Sequence, residues 1–76
     1  MTILELKKML NELRVPEDLY SIRVGGLPNE KLCIVKEDTW QIYYSERGRK
    51  IGLKEFKTES EACEYFLEKM KRYAKA

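Results

Sequence analysis

The sequence predicts an α+β domain: an antiparallel β-meander of three to four strands, with an N-terminal and a C-terminal helix packed on one face. Three observations predict it. Apolar residues recur at three- and four-residue spacing near both ends of the chain, they alternate with polar ones in the middle, and short turn signals separate the alternating runs. Two amphipathic helices each need an apolar surface, and one sheet face supplies it. Seventy-six residues make a single domain, residues 1–76, near the smallest size that a hydrophobic core alone stabilises. There are no internal repeats, linkers or low-complexity segments.

The first helix covers residues 2–14. Ile3, Leu6, Leu10 and Leu13 form its apolar stripe, Met9 widens it, and Glu5, Lys7, Lys8 and Glu12 lie opposite. Pro16 ends it, because the residue before a proline is pushed out of the helical region. Residues 19–24 alternate weakly, as a first strand does, and residues 25–30 (Gly-Gly-Leu-Pro-Asn-Glu) break that run as a loop. Residues 31–36 form a strand with Leu32 and Ile34 on one face and Cys33 and Val35 on the other. Glu37 and Asp38 turn the chain, and residues 39–45 return. Trp40, Ile42 and Tyr44 then share one face, expected inward as the more apolar set, opposite Gln41, Tyr43 and Ser45. Residues 45–48 make a second tight turn, with Gly48 where a left-handed conformation is tolerated. Residues 49–57 form the last strand, carrying Ile51, Leu53 and Phe56, with Gly52 marking a bulge. Thr58 and Glu61 read as a capping box opening the second helix. That helix is expected to bury Ala62, Cys63, Phe66, Leu67, Met70, Tyr73 and Ala74.

A chain that is 43% hydrophobic and 37% charged is not of the disordered class. Fifteen basic and thirteen acidic residues leave a net charge of +2. Dedicated nucleic-acid binders of this size carry a stronger basic excess, because neutralising phosphate supplies most of their affinity. No apolar run approaches the ~20 residues that span a bilayer. Glu5 interrupts the stretch a secretory leader would need, so the cytoplasm is the expected compartment and no membrane partner is expected. Cys33 and Cys63, both in apolar settings, read as buried free thiols.

The chemistry of catalysis is sparse. The chain has no histidine, hence neither the commonest general base nor the commonest metal ligand. There is no cysteine–histidine metal cluster, phosphate-cradling loop or nucleophile elbow, and Gly25-Gly26 is not followed by a helix start. Neither an enzyme nor a cofactor or metal is expected; a binding module is.

Two groups of residues are candidates for binding a partner. Glu61, Glu64 and Glu68 fall on one outward stripe of the last helix, able to face a basic surface. The plainer reading is that the carboxylates early in that helix and the cations late in it complement the helix dipole, with Glu68 paired to Arg72. The hairpin offers Tyr43, Glu46, Arg47 and Arg49, a composition enriched at interface hot spots, although charges at a hairpin tip are usually just solvated.

The runs Leu27-Pro28-Asn29-Glu30, Lys31-Leu32-Cys33-Ile34, Trp40-Gln41-Ile42-Tyr43-Tyr44-Ser45-Glu46-Arg47-Gly48, Leu53-Lys54-Glu55-Phe56 and residues 59–68 resemble a family of small bacterial immunity proteins of polymorphic or contact-dependent toxin systems. The resemblance covers about residues 19–70, and its most specific part is residues 43–48. It implies a stoichiometric role: binding a cognate toxin domain, such as a nuclease, in the cytoplasm and occluding its active site. The strands and final helix are also similar to plant-type AP2 and integrase-arm modules, which lay a sheet on DNA. That likeness would enlist Arg47, Arg49, Lys50 and Lys54. Glu46 and Glu55 interrupt the basic set and an extra helix and strand precede it, so nucleic acid is the disfavoured partner.

Overall fold

Local signals at the ends of each segment define the elements seen in the computed structural model, which describes residues 1–22 and 30–75. Helix α1 is Ile3–Glu12. Thr2 caps it: its hydroxyl accepts from the Glu5 amide while the Glu5 carboxylate accepts from the Thr2 amide, a complete capping box. The other end closes with Val15 N–H on the Leu10 carbonyl and Arg14 N–H on the Asn11 carbonyl. Those two bonds make a Schellman motif, with Arg14 in the left-handed region at φ 55°. Pro16 follows, and a single 3-10 turn, Glu17–Leu19, leads into the sheet.

Among the described residues the sheet has four strands, in the order β1 (Tyr20–Ile22), β2 (Lys31–Lys36), β3 (Trp40–Glu46) and β4 (Arg49–Phe56). Strands β2, β3 and β4 form the expected antiparallel meander. The first strand departs from it. β1 runs parallel to β2, pairing Tyr20 with Leu32 and Ile22 with Ile34, so the sheet is mixed. Alternation decides which face a side chain takes but is the same read in either direction, so the pattern of residues 19–24 carried no information on strand polarity. Arg23, Val24 and the loop expected at residues 25–29 lie outside the described residues.

Helix α2, Glu59–Met70, begins at Thr58, whose hydroxyl accepts from the Glu61 amide and donates to the Glu61 carboxylate. It buries Ala62, Cys63, Phe66, Leu67 and Met70. Tyr73 and Ala74 do not join them, in contrast to the expected stripe. The chain tightens into a 3-10 turn at Lys71–Tyr73, and three residues per turn instead of 3.6 rotate Tyr73 off the buried face.

Both helices cover the same sheet face, and the main core lies between. Leu6, Leu10, Ile34, Ile42, Phe66 and Cys63 are at its centre, with Trp40 closing one end. Tyr20 meets Phe66 edge-on at 6.2 Å between ring centres. The helices lie side by side with their N-termini together. The Met1 ammonium donates to Ser60 Oγ and the Ile3 amide to a Glu59 carboxylate oxygen at 2.7 Å, while at the far end Lys75 N–H donates to the Leu13 carbonyl. A smaller cluster of Cys33, Val35 and Tyr43 sits on the opposite sheet face. The two cysteines are thus free, buried and on opposite sides of the sheet. Among the described residues no helix is long and apolar enough to cross a membrane.

Candidate functional site

The β3–β4 hairpin is closed by the two residues Arg47 and Gly48, at φ 50° and 76°. Two left-handed residues in a two-residue loop make a type I′ turn, whose twist matches that of the flanking strands. Glu46 and Arg49 are therefore the last strand pair, and not turn residues as the spacing had suggested for Glu46. Together with Arg47 and Ile51 they line a shallow recess of about 360 Å³. Arg47 and Arg49 are exposed and Glu46 is half-buried. This part of the expected surface is assembled.

Tyr43 is not on it. The expectation that its ring projects as a contact residue fails, since only 3% of the residue is exposed. It packs against Cys33, its cross-strand partner, and Lys50 Nζ roofs the ring at 4.8 Å from its centre. Burial, followed by the neighbouring Cys33, pushes its hydroxyl pKa up. The face that looked polar in sequence is a second small core, and Tyr43 is its largest member.

Glu61, Glu64 and Glu68 stand exposed in one row on α2, opposite the helix's fully buried face. Only the last has an ionic partner among the described residues, and it is Lys71 at 3.4 Å, not the expected Arg72. Both groups of that pair are well solvated, so the contact contributes little and leaves Glu68 available to a competing cation.

Helix α2 runs from the Phe56 end of the sheet, where Tyr65 packs on Phe56 at 5.2 Å, toward the hairpin end. There its last turn forms, with Leu32, Tyr44, Lys69, Met70, Arg72 and Tyr73, most of the wall of an apolar recess of about 210 Å³. Tyr44 and Tyr73 are each about two-fifths exposed in it. The Tyr44 hydroxyl pKa is raised, first by burial and then by Glu30, Glu46 and Tyr73. This recess lies where the C-terminal end of α2 meets the sheet, and no single feature of the sequence marks it. Tyr44 belonged to the inward set and Tyr73 to the buried stripe; both are at the margin where the sheet outruns its helical cover.

The basic set that a DNA-reading sheet would need is not gathered on one face. Lys50 pairs with Ser45 and takes the face away from the helices, whereas Lys54 pairs with Ile42 and takes the helix side. Trp40 is in the main core. Among the described residues no three histidine, cysteine or carboxylate side chains are grouped to hold a metal ion. Both thiols are buried, and Cys63 is pushed up to about 11 by burial and then by Glu59. No protein-family model, curated protein or solved structure matches this chain.

Proposed function

We propose that this chain is a stoichiometric protein-binding module, an immunity protein that neutralises a cognate bacterial toxin domain in the cytoplasm by covering its active site. The observation that carries the reading is the row of three exposed carboxylates, Glu61, Glu64 and Glu68, held on a helix whose opposite face is locked in the core. A toxin that cleaves nucleic acid presents a surface built to attract phosphate, and a fixed row of carboxylates complements it. The likeness of residues 19–70 to small immunity proteins supplies the class of partner. The recess between Tyr44 and Tyr73 offers an apolar seat at the C-terminal end of the same helix, suited to one anchoring side chain of the partner. On this reading the protein acts by occupancy, and no residue of its own reacts.

Co-expression of the toxin with the double variant E64K/E68K tests it. Neither residue is buried, so circular dichroism should be unchanged. Protection should weaken through lost steering and lost close pairs, by about 1–3 kcal/mol in toxin affinity. A folded double variant that protects as well as the wild type removes the acidic row from the interface. The nucleic-acid reading makes the opposite forecast: a tight, sequence-selective gel shift that fades steeply as salt rises. Only weak, sequence-independent association is expected.

A further inference from the structure

We infer that strand β4 is a self-complementary edge through which two copies of this chain associate, joining their sheets into one antiparallel eight-stranded sheet about a two-fold axis. Among the described residues β4 is hydrogen-bonded to β3 alone, and it is an eight-residue strand, long for an unprotected edge. Ile51 and Leu53 are 45% and 43% exposed on it, and every residue of the strand before Phe56 is exposed.

The register identifies the occupant. In a two-residue hairpin the flanking pair, here Glu46 and Arg49, exchanges the closing hydrogen bonds, and the pairs alternate from there. Tyr44, Ile42 and Trp40 thus turn their backbone groups toward β4, and Ser45, Tyr43 and Gln41 turn theirs toward β2. Lys50, opposite Ser45, and Glu55, opposite Gln41, consequently direct their own N–H and C=O groups out of the sheet edge. A one-residue shift at Gly52 (φ 66°), between the Ile42 and Tyr44 pairs, is what places both of them outward despite their odd separation. Both side chains also take the same sheet face, the one away from the helices.

A second copy laid antiparallel against this edge, with Lys50 opposite Glu55, satisfies all four outward backbone groups of each pair. It also sets an ammonium beside a carboxylate twice, once on each side of the axis. Isologous contacts demand this reciprocity. Among the described residues neither Glu55 nor Lys50 forms an ion pair, Lys50 lying over the Tyr43 ring and acting on the Cys33 thiol. Ile51 and Leu53 lie next to the axis, where the pairing buries part of their exposed area. A bulge and scattered lysines are also devices that keep an edge single. The alignment of opposite charges at the two outward positions favours pairing over protection.

The measurement is sedimentation equilibrium of the purified full chain, with no toxin present, so its outcome is independent of the proposed immunity role. One strand pair is a small interface, so a monomer–dimer equilibrium that responds to concentration is expected. K50E and E55K should each weaken dimerisation at least tenfold by opposing like charges, and the swapped double variant K50E/E55K should recover most of it. Circular dichroism checks the fold of each, and the double variant controls for loss of the Lys50–Tyr43 contact. A wild type that stays monomeric up to about 1 mM, the weak end of specific association, overturns the proposal. So does a dimer indifferent to both single changes, or a double variant no better than the singles.

Discussion

Among the described residues three non-glycine residues hold left-handed backbone conformations, Arg14, Glu30 and Arg47, and each is at a junction between elements. Arg14 is the informative one. It occupies the position after the end of α1 where glycine is preferred, and its geometry is enforced by the two closing bonds to Leu10 and Asn11 together with burial of Val15. The side chain is exposed and the left-handed conformation crowds its Cβ. R14G should therefore raise stability by about 0.5–1 kcal/mol, with the greater freedom of glycine in the unfolded chain subtracting from the gain. Urea denaturation measures it; a destabilised R14G would mean that the Arg14 side chain contributes more than its backbone strain costs. Tyr43 teaches the complementary lesson. Its place on the less apolar strand face was readable in sequence, but its burial depends on Cys33, Val35 and the Lys50 side chain closing over it.

At the scale of elements, the two helices lie with their positive ends adjacent, an arrangement whose dipoles repel. Glu59 offsets it. Its carboxylate, in the first turn of α2, accepts from the first amide of α1 and so serves both helix starts. E59A should cost about 1–3 kcal/mol, since it removes a charge-assisted hydrogen bond in a partly buried place. E59Q, which keeps an acceptor, should cost less. Equal losses in the two variants, measured by thermal unfolding, would show that charge plays no part in the junction. The capping signal at Thr58 and Glu61 was legible in the sequence, and the same signal at Thr2 and Glu5 was equally available there. The bond from Ile3 to Glu59 spans 56 residues of sequence and was not.

For the whole molecule, the buried thiols tie stability to alkaline pH. Cys63 has an ordinary pKa of 9.0 and is held at about 11 in the folded chain, by burial first and the Glu59 carboxylate second. Above pH 9 the unfolded chain therefore loses this proton before the folded chain does, and by linkage the folded state loses stability. The contribution of this thiol should be level below pH 9 and fall as pH rises toward 11, by up to ~2–3 kcal/mol. Cys33, Tyr20 and Tyr43, all raised by burial, act in the same direction. In C63A the decline between pH 9 and 11 should be shallower, as followed by melting temperature. An unchanged slope would assign the alkaline limb to the other groups.

Hydrophobic spacing, turn residues and caps are local, and they carried the element order, the α+β class, both helices on one sheet face and much of the apolar core, including Leu6, Leu10, Ile34, Ile42, Phe66 and Met70. They also carried the exposed row Glu61, Glu64 and Glu68, because helical periodicity alone sets which side of α2 faces out. Tertiary structure decided the rest. The parallel direction of β1, the burial of Tyr43 and the recess beside Tyr44 each depend on which distant segment lies alongside. Period-2 and period-3.6 patterns fix a side chain's face relative to its own element, and they are silent on the direction, distance and extent of the neighbour that covers it.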